Sequence, residues 1–440
     1  MKLPAIFQNN ALRSGGFLVF EALVALTLAT LLIPAALELS WSNGRLFVLA
    51  QSEIGSTTNI ADLIENGVTY QIASSSRLYQ HEFGRSTCSL VPQDSSKGFV
   101  AADIYVSGVG SAVGGFGTDL AAHNGFVYET TEPASNTSPD FFIVDDRNPL
   151  APVTVSSFVA GLGLAAVSVS GYYAYVANES AKSQLRVLDI HDRMHPAVVS
   201  QMKLPLPDAS ATGPFASSIF YDNGLVYLGT QKWDGNEMNI IDVSNPAMPL
   251  YVSGFQTDTL VNSIYENGGY VYAALPATNA QMDIFDARNP HSIMDISHFA
   301  PAGSAVLEGK AFAYDSGVAF ETANAGDASG TLYFARSGGG FDNTSQYELF
   351  SFNLARDPYG QNPVFSRDIP GGVYGVVYSA GYVFLATGDP SAGFQIWKSD
   401  FSKEVYSSSL PAKPVSLLCD HNRLYAALSS PAGFAAIVPH

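Results

Sequence analysis

From Asn124 onward the chain repeats one arrangement of apolar and polar positions. A small turn such as Asn124-Gly125, Ser170-Gly171, Asn223-Gly224 or Asn267-Gly268 opens an alternating apolar run; a polar loop follows, and then a second apolar run such as Leu185 to Leu188. A period of two bounded by turn residues predicts strands with a buried face. Four copies agree closely, and three looser ones begin at Ser329, Ala380 and His421. Their aromatic anchors are Tyr128, Tyr175, Tyr227, Tyr272, Tyr333, Phe384 and Tyr425, separated by 47, 52, 45, 61, 51 and 41 residues. A unit of roughly 40 to 50 residues holding four short strands is a propeller blade. Seven copies therefore predict an all-β, seven-bladed β-propeller over residues 99–440.

The ends of this region predict how the ring closes. The last copy offers strands around Leu417 to Leu428 and Phe434 to Val438 and then stops, without an outer strand. Gly98 to Val106 precedes the first copy and has strand character, so it is expected to complete the seventh blade and remove a free edge. Cys88 lies just before that strand and Cys419 in the blade it joins. A Cys88–Cys419 disulfide would staple the closure in an oxidising compartment, while two unpaired cysteines remain an open alternative at this stage.

The first 66 residues follow a different pattern. Phe17 to Leu37 is a run of 21 residues with one charge, Glu21, preceded by Lys2 and Arg13. As a helix it is about 31 Å long at ~1.5 Å per residue, enough to cross a hydrocarbon core of roughly 30 Å. A secretory signal has a shorter apolar core, ~7 to 15 residues, with its small residues after it. Here Gly15-Gly16 stands before it. A carboxylate inside an apolar span needs a partner, and a cut after Gly16 would supply one by placing the Phe17 amine a helical turn from Glu21. Residues 73 to 98, rich in Ser with Gln, Pro, Asp and Gly, read as a linker or irregular collar. The expected divisions are thus a leader (1–16), a hydrophobic helix and extension (17–66), a linker or collar (67–98) and the propeller (99–440).

A basic leader, Gly16, Phe17 and Glu21 ahead of an apolar helix together resemble the class III leader of type IV prepilins and pseudopilins, over roughly residues 1 to 40. The resemblance implies cleavage between Gly16 and Phe17 by a membrane-bound prepilin peptidase, which also methylates the Phe17 amine. It further implies that Glu21 helps set register among pilin-like subunits, and Pro34 fits the helix kink common there. A plain single-pass anchor is the competing reading. The basic leader places the N-terminus inside a bacterial membrane and the propeller outside it.

The second apolar run of the first four copies ends in an acid, Asp145, Asp189, Asp242 or Asp286, followed three residues on by Asn148, Asp192, Asn245 or Asn289, with Pro nearby. Such side chains hydrogen-bond their own backbone in Asx turns, and Pro presets the following φ. The pattern resembles the LVIVD repeat, a bacterial and archaeal surface propeller family, over residues 120 to 440. That resemblance implies a fold more than an activity.

Charge narrows the partners. The formal net charge is −18, and loss of Lys2 and Arg13 with the leader would deepen it by two. Phosphate contacts need a basic face, so nucleic acid is excluded as an expected partner. His191 and His195 are four apart beside Asp189 and Asp192, but on an extended turn that spacing does not bring two rings together, and no metal is expected there. Asp234 to Glu237 offers a weak Ca²⁺ loop at most. No nucleophile elbow, phosphate loop or zinc-protease run occurs. The repeat tyrosines are expected to pack between blades rather than stack on sugars. The expectation is a non-catalytic, cofactor-free minor pilin or pseudopilin-like protein whose propeller binds a surface, polymer or protein through one face. Loop residues Arg336 to Glu348 are included in that face. A tethered propeller that never assembles and an extracytoplasmic enzyme are the alternatives.

Overall fold

The computed structural model describes residues 69–74, 77–82, 88, 90–94, 96–106, 115–208, 211–301, 307–315, 330–337, 346–354, 356–357, 359–430 and 433–440. Gly16, Phe17, Glu21 and the apolar run to Leu37 lie outside the described residues. Among the described residues no helix is long and apolar enough to cross a membrane.

Seven four-stranded antiparallel sheets succeed one another along the chain. Blades 1 to 6 occupy residues 116–158, 164–202, 216–255, 263–299, 308–367 and 373–408. Blade 7 takes its inner three strands from residues 414–439 and its outer strand from Ala102–Val106. That strand pairs antiparallel with Gly433–Pro439, from Ala102 opposite Pro439 to Val106 opposite Ala435. The inner strands of successive blades touch all the way round, including Pro414–Asp420 against Phe116–His123, so the ring is a closed seven-bladed propeller. Gly98 to Ala101, expected to be part of the closing strand, instead lead into it.

Each blade places its inner-to-second and third-to-outer turns on one face of the ring, here the turn face. The second-to-third loops and the crossovers between blades lie on the opposite, crossover face. The tight inner turns need left-handed backbone, which Asn124 (φ 53°) and Gly125 (φ 75°) supply, as do Asn223 and Gly224. Ala380 holds the same conformation (φ 50°) without being Asn or Gly.

Apolar burial forms walls between blades. Seven hydrophobic clusters match the seven blade interfaces, and the anchors Tyr128, Tyr175, Tyr227, Tyr272, Tyr333, Phe384 and Tyr425 are all buried in them. The stacked pairs Tyr175–Tyr221 and Tyr333–Tyr378 each cross an interface, at ring separations of 4.9 and 5.4 Å. These tyrosines therefore serve packing. A serine clip adds to the walls: Ser156, Ser200, Ser253 and Ser297 on outer strands donate to Arg193, Pro246, Pro290 and Tyr359 carbonyls of the next blade.

Within the stretch expected to be an irregular collar, Thr69–Ser74 and Arg77–Glu82 form a two-stranded hairpin. Neither strand carries a long apolar alternation, so the sequence does not mark them as strands.

Candidate functional site

The four repeat acids sit where the Asx reading places them. Asp145, Asp189, Asp242 and Asp286 accept from the backbone amides of Arg147, His191, Ser244 and Arg288, and Asn148, Asp192, Asn245 and Asn289 accept from amides two residues on. Their carboxylates are thus committed to turns on the turn face. His191 packs edge-on against Tyr172, and His195 Nδ1 lies 2.9 Å from Asp192 Oδ2. Among the described residues no three His, Cys, Asp or Glu side chains converge as metal ligands.

Cys88 and Cys419 are bonded, with Cα atoms 5.1 Å apart across a sequence separation of 331 residues. Around the bond the entering chain is fastened to the turn face: Cys88 bridges His421, Leu90 O accepts from Ser379 Oγ, and Phe99 packs at 5.0 and 5.1 Å against Tyr382 and Phe384. The chain therefore reaches the propeller at blades 6 and 7 on the turn face. The crossover face carries none of these attachments.

Sequence reasoning missed a second repeated device. The residue just before each third strand is Asp140, Gln184, Glu237, Gln281 or Glu348 in blades 1 to 5, all buried. Each side chain bonds the backbone of the crossover to the next blade. Asp140 accepts from Ala160 and Gly161, Gln184 from Leu204, Glu237 from Thr257 and Asp258, and Glu348 from Ile369, while Gln281 donates to Leu307 O. Desolvation raises the Asp140 and Glu237 carboxyls and pushes Glu348 up to about 7, against the pull of those amides. Glu237 also accepts from Trp233, so the last carboxylate of the Asp234 to Glu237 turn is occupied by backbone amides. Arg336 and Glu348, expected at the ends of a displayed loop, are buried instead. The Arg336 guanidinium bonds Gln281 Oε1 and Tyr347 O, and burial lowers it to about 10.

The seam between blades 7 and 1 buries two acids. Asp146 is fully buried where the other blades place Ile190, Val243, Ala287, Leu354 or Ser399, and its Oδ2 receives Arg423 at 3.1 Å and the Tyr425 hydroxyl at 3.0 Å. Glu129 is also fully buried, and neither of its oxygens has a hydrogen-bond partner. Desolvation pushes its carboxyl up to about 8, only weakly opposed by the Gly433 amide. The residue after each other anchor is Val176, Leu228, Ala273, Phe334, Leu385 or Ala426, so alignment of the repeats shows Glu129 as one acid in an apolar column.

The mouth of the ring on the crossover face is built by inner-strand bulges. In six inner strands the pairing slips by one residue near this end, and a bulge re-aims the side chains beside it. The rim so formed exposes Phe116 and Phe215, holds Lys413 Nζ 4.2 Å over the Tyr374 ring, and pairs Lys310 with Glu308 at 3.0 Å. One level deeper the equivalent inner positions are Asp119, Ala166, Ser218, Ser263, Ala311, Gly375 and Ser416. In this small-residue ring Asp119 is the acid. Its Oδ2 accepts from Val167 N of blade 2 at 3.1 Å, and desolvation pushes it up to about 6. Aromatic faces, one ion pair and a carboxyl suit recognition, and the Ser416 hydroxyl of the same ring stands beside the Asp119 carboxyl.

The LVIVD repeat model matches residues 165–203 and 231–257, which are blade 2 and the outer half of blade 3. Among solved structures, the computationally designed Ika8 protein is similar at 9% identity with a TM-score of 0.47, over 74% of this chain and 96% of that one. No curated protein matches the chain.

Proposed function

We propose that this chain is a minor-pilin or pseudopilin-like surface protein: a membrane-anchored stalk that displays a non-catalytic propeller as a binding head. In this reading a prepilin peptidase cuts between Gly16 and Phe17, and Glu21 pairs with the new amine and with neighbouring pilin-like subunits. The propeller stands outside a bacterial membrane and contacts a surface, polymer or protein. The observation that supports the display is the one-sided attachment. The chain enters at Cys88, Leu90 and Phe99 on the turn face, so the crossover face points away from any N-terminal anchor. Ligand recognition then belongs to the rim of Phe116, Phe215 and Tyr374, where two rings are exposed and Lys413 lies over the third. Exposed aromatic and cationic groups around a mouth favour binding over bond-making.

Mass spectrometry of the mature N-terminus tests the anchor: N-methyl-Phe17 is the expected product. An intact Met1, or a cut well downstream of Gly16, overturns the pilin assignment and leaves a tethered propeller. Glu21→Ala is expected to lower the amount of protein in sheared filaments. For the head, Phe116→Ala with Phe215→Ala is expected to abolish cell-surface adhesion of folded protein, and unchanged adhesion removes the rim from the site.

A further inference from the structure

We propose that the turn face is a membrane-docking surface, which lies against the lipid bilayer that anchors the chain. This rests on the reading of Phe17 to Leu37 as a membrane span. The turn face carries one protruding apolar tip after another: Leu150, Met194, Met248 and Val364 at the third-to-outer turns of blades 1, 2, 3 and 5, Met294 where the outer strand of blade 4 begins, and Val91 on the entering segment beside blade 6, each more than half exposed. The Asx turns explain the protrusion, because Asp145, Asp189, Asp242 and Asp286 tie down the turn backbone and leave the next side chains outward. Turn chemistry asks for polar residues at such places. This face has Leu, Met, Met, Met and Val instead.

Three arguments select a bilayer as the occupant. First, the chain arrives on this face at Cys88, about fifty residues after the apolar run ends at Leu37, a length that lets the face lie flat without strain. Second, the tips are separated, one to a blade around the ring. A shaped protein partner buries a contiguous apolar centre, whereas a fluid interface accepts isolated tips. Third, guanidinium groups stand among them. Arg147 and Arg193 both lie over the Phe126 ring, at 5.2 and 4.3 Å, and Arg288 lies 5.2 Å over Tyr270. Arg147 and Arg288 are also paired with Asp145 and Asp286, so the face presents apolar tips among aromatic rings and neutralised pairs, which suits the interfacial layer of a bilayer.

The test uses the full chain in phosphatidylcholine–phosphatidylglycerol vesicles. An environment-sensitive dye is placed at Met248→Cys on the turn face or at Leu162→Cys on the crossover face, with a doxyl-labelled lipid as quencher. Quenching is expected to be several-fold stronger at Met248→Cys than at Leu162→Cys. In a Leu150→Asp, Met194→Asp, Met294→Asp background that difference is expected to vanish while co-flotation with vesicles persists. Co-flotation with an unquenched Met248→Cys label overturns the docking surface alone; loss of co-flotation in the parent chain overturns the span and the docking with it. Quenching that needs no doxyl lipid and grows with protein density assigns the face to a second copy and overturns the bilayer. Quenching unchanged by the three acidic substitutions overturns the tips as its cause.

Discussion

Replacing Glu129 by leucine removes a carboxyl group from a wall that is apolar at the same position in the six other blades. In the folded chain Glu129 is fully buried with both oxygens unpartnered, and its carboxyl titrates at about 8 against an ordinary 4.5. The unfolded chain therefore gives up this proton near pH 4.5, while the folded chain keeps it to about pH 8. Between those values unfolding releases a proton, so rising pH favours the unfolded state. The penalty is absent below pH 4.5, grows through the window and is complete above pH 8. At 1.36 kcal/mol per pH unit, the interval from 4.5 to neutrality amounts to about 3 kcal/mol, and the full interval to about 5 kcal/mol. Equilibrium urea denaturation at pH 4, 7 and 8.5 reads this directly. The parent is expected to lose stability relative to Glu129→Leu by about 3 kcal/mol between pH 4 and 7. Asp119, Asp283 and Glu348 titrate within the same window in both proteins, so the difference between the two curves isolates Glu129. Parallel curves would refute the reasoning and require a solvated or partnered carboxylate.

Cys88→Ser with Cys419→Ser releases a closure spanning 331 residues; chain entropy predicts a loss of about 5 to 6 kcal/mol, measurable as a fall in the urea midpoint that reducing agent reproduces in the parent only. Asp146→Ala strands Arg423 and the Tyr425 hydroxyl at the seam and is expected to cost about 3 kcal/mol, with hydrogen exchange rising first in blades 7 and 1. Ala380→Asn places a residue suited to positive φ where alanine is strained, and is expected to raise the melting temperature through about 1 kcal/mol of stabilisation. Ser200→Ala removes one interblade clip and should cost about 1 kcal/mol, against no change for a solvent-facing serine.

The ring was legible because a buried aromatic anchor recurs in every blade, most of the described inner turns take left-handed backbone, and an Asx turn closes the third strand in the first four. Closure was legible from what the last copy lacks, an outer strand, together with an unassigned strand before the first. The buried polar residues were harder to find for two different reasons. Asp140, Gln184, Glu237, Gln281 and Glu348 form a column only once loops of unequal length are set aside, and their shared task, holding a crossover amide or carbonyl, involves groups many residues away. Glu129 is visible in the repeat alignment as one acid among aliphatic and aromatic residues, a departure from the positions the copies share. In the rim, Phe116 and Phe215 share one offset, each twelve residues before its anchor, Tyr128 or Tyr227, whereas Tyr374 stands ten before Phe384, and the bulges that gather the three act in three dimensions.

The order of the disulfide and the closing strand governs how the molecule bears tension. Cys88 precedes Ala102–Val106 along the chain and joins Cys419 in the inner strand Pro414–Asp420. A pull transmitted from the N-terminal side passes through the sulfur bridge into a strand braced by an inner neighbour on either side. Residues 89 to 106 are left slack. Were the bridge open, the same pull would fall first on the Leu90 and Phe99 contacts and then unzip the clasp from Gly433–Pro439 one hydrogen-bonded pair at a time, from the His440 end. The bridge converts peeling of the closing strand into load on an inner strand, so the ring stays shut under tension for as long as its cysteines stay oxidised.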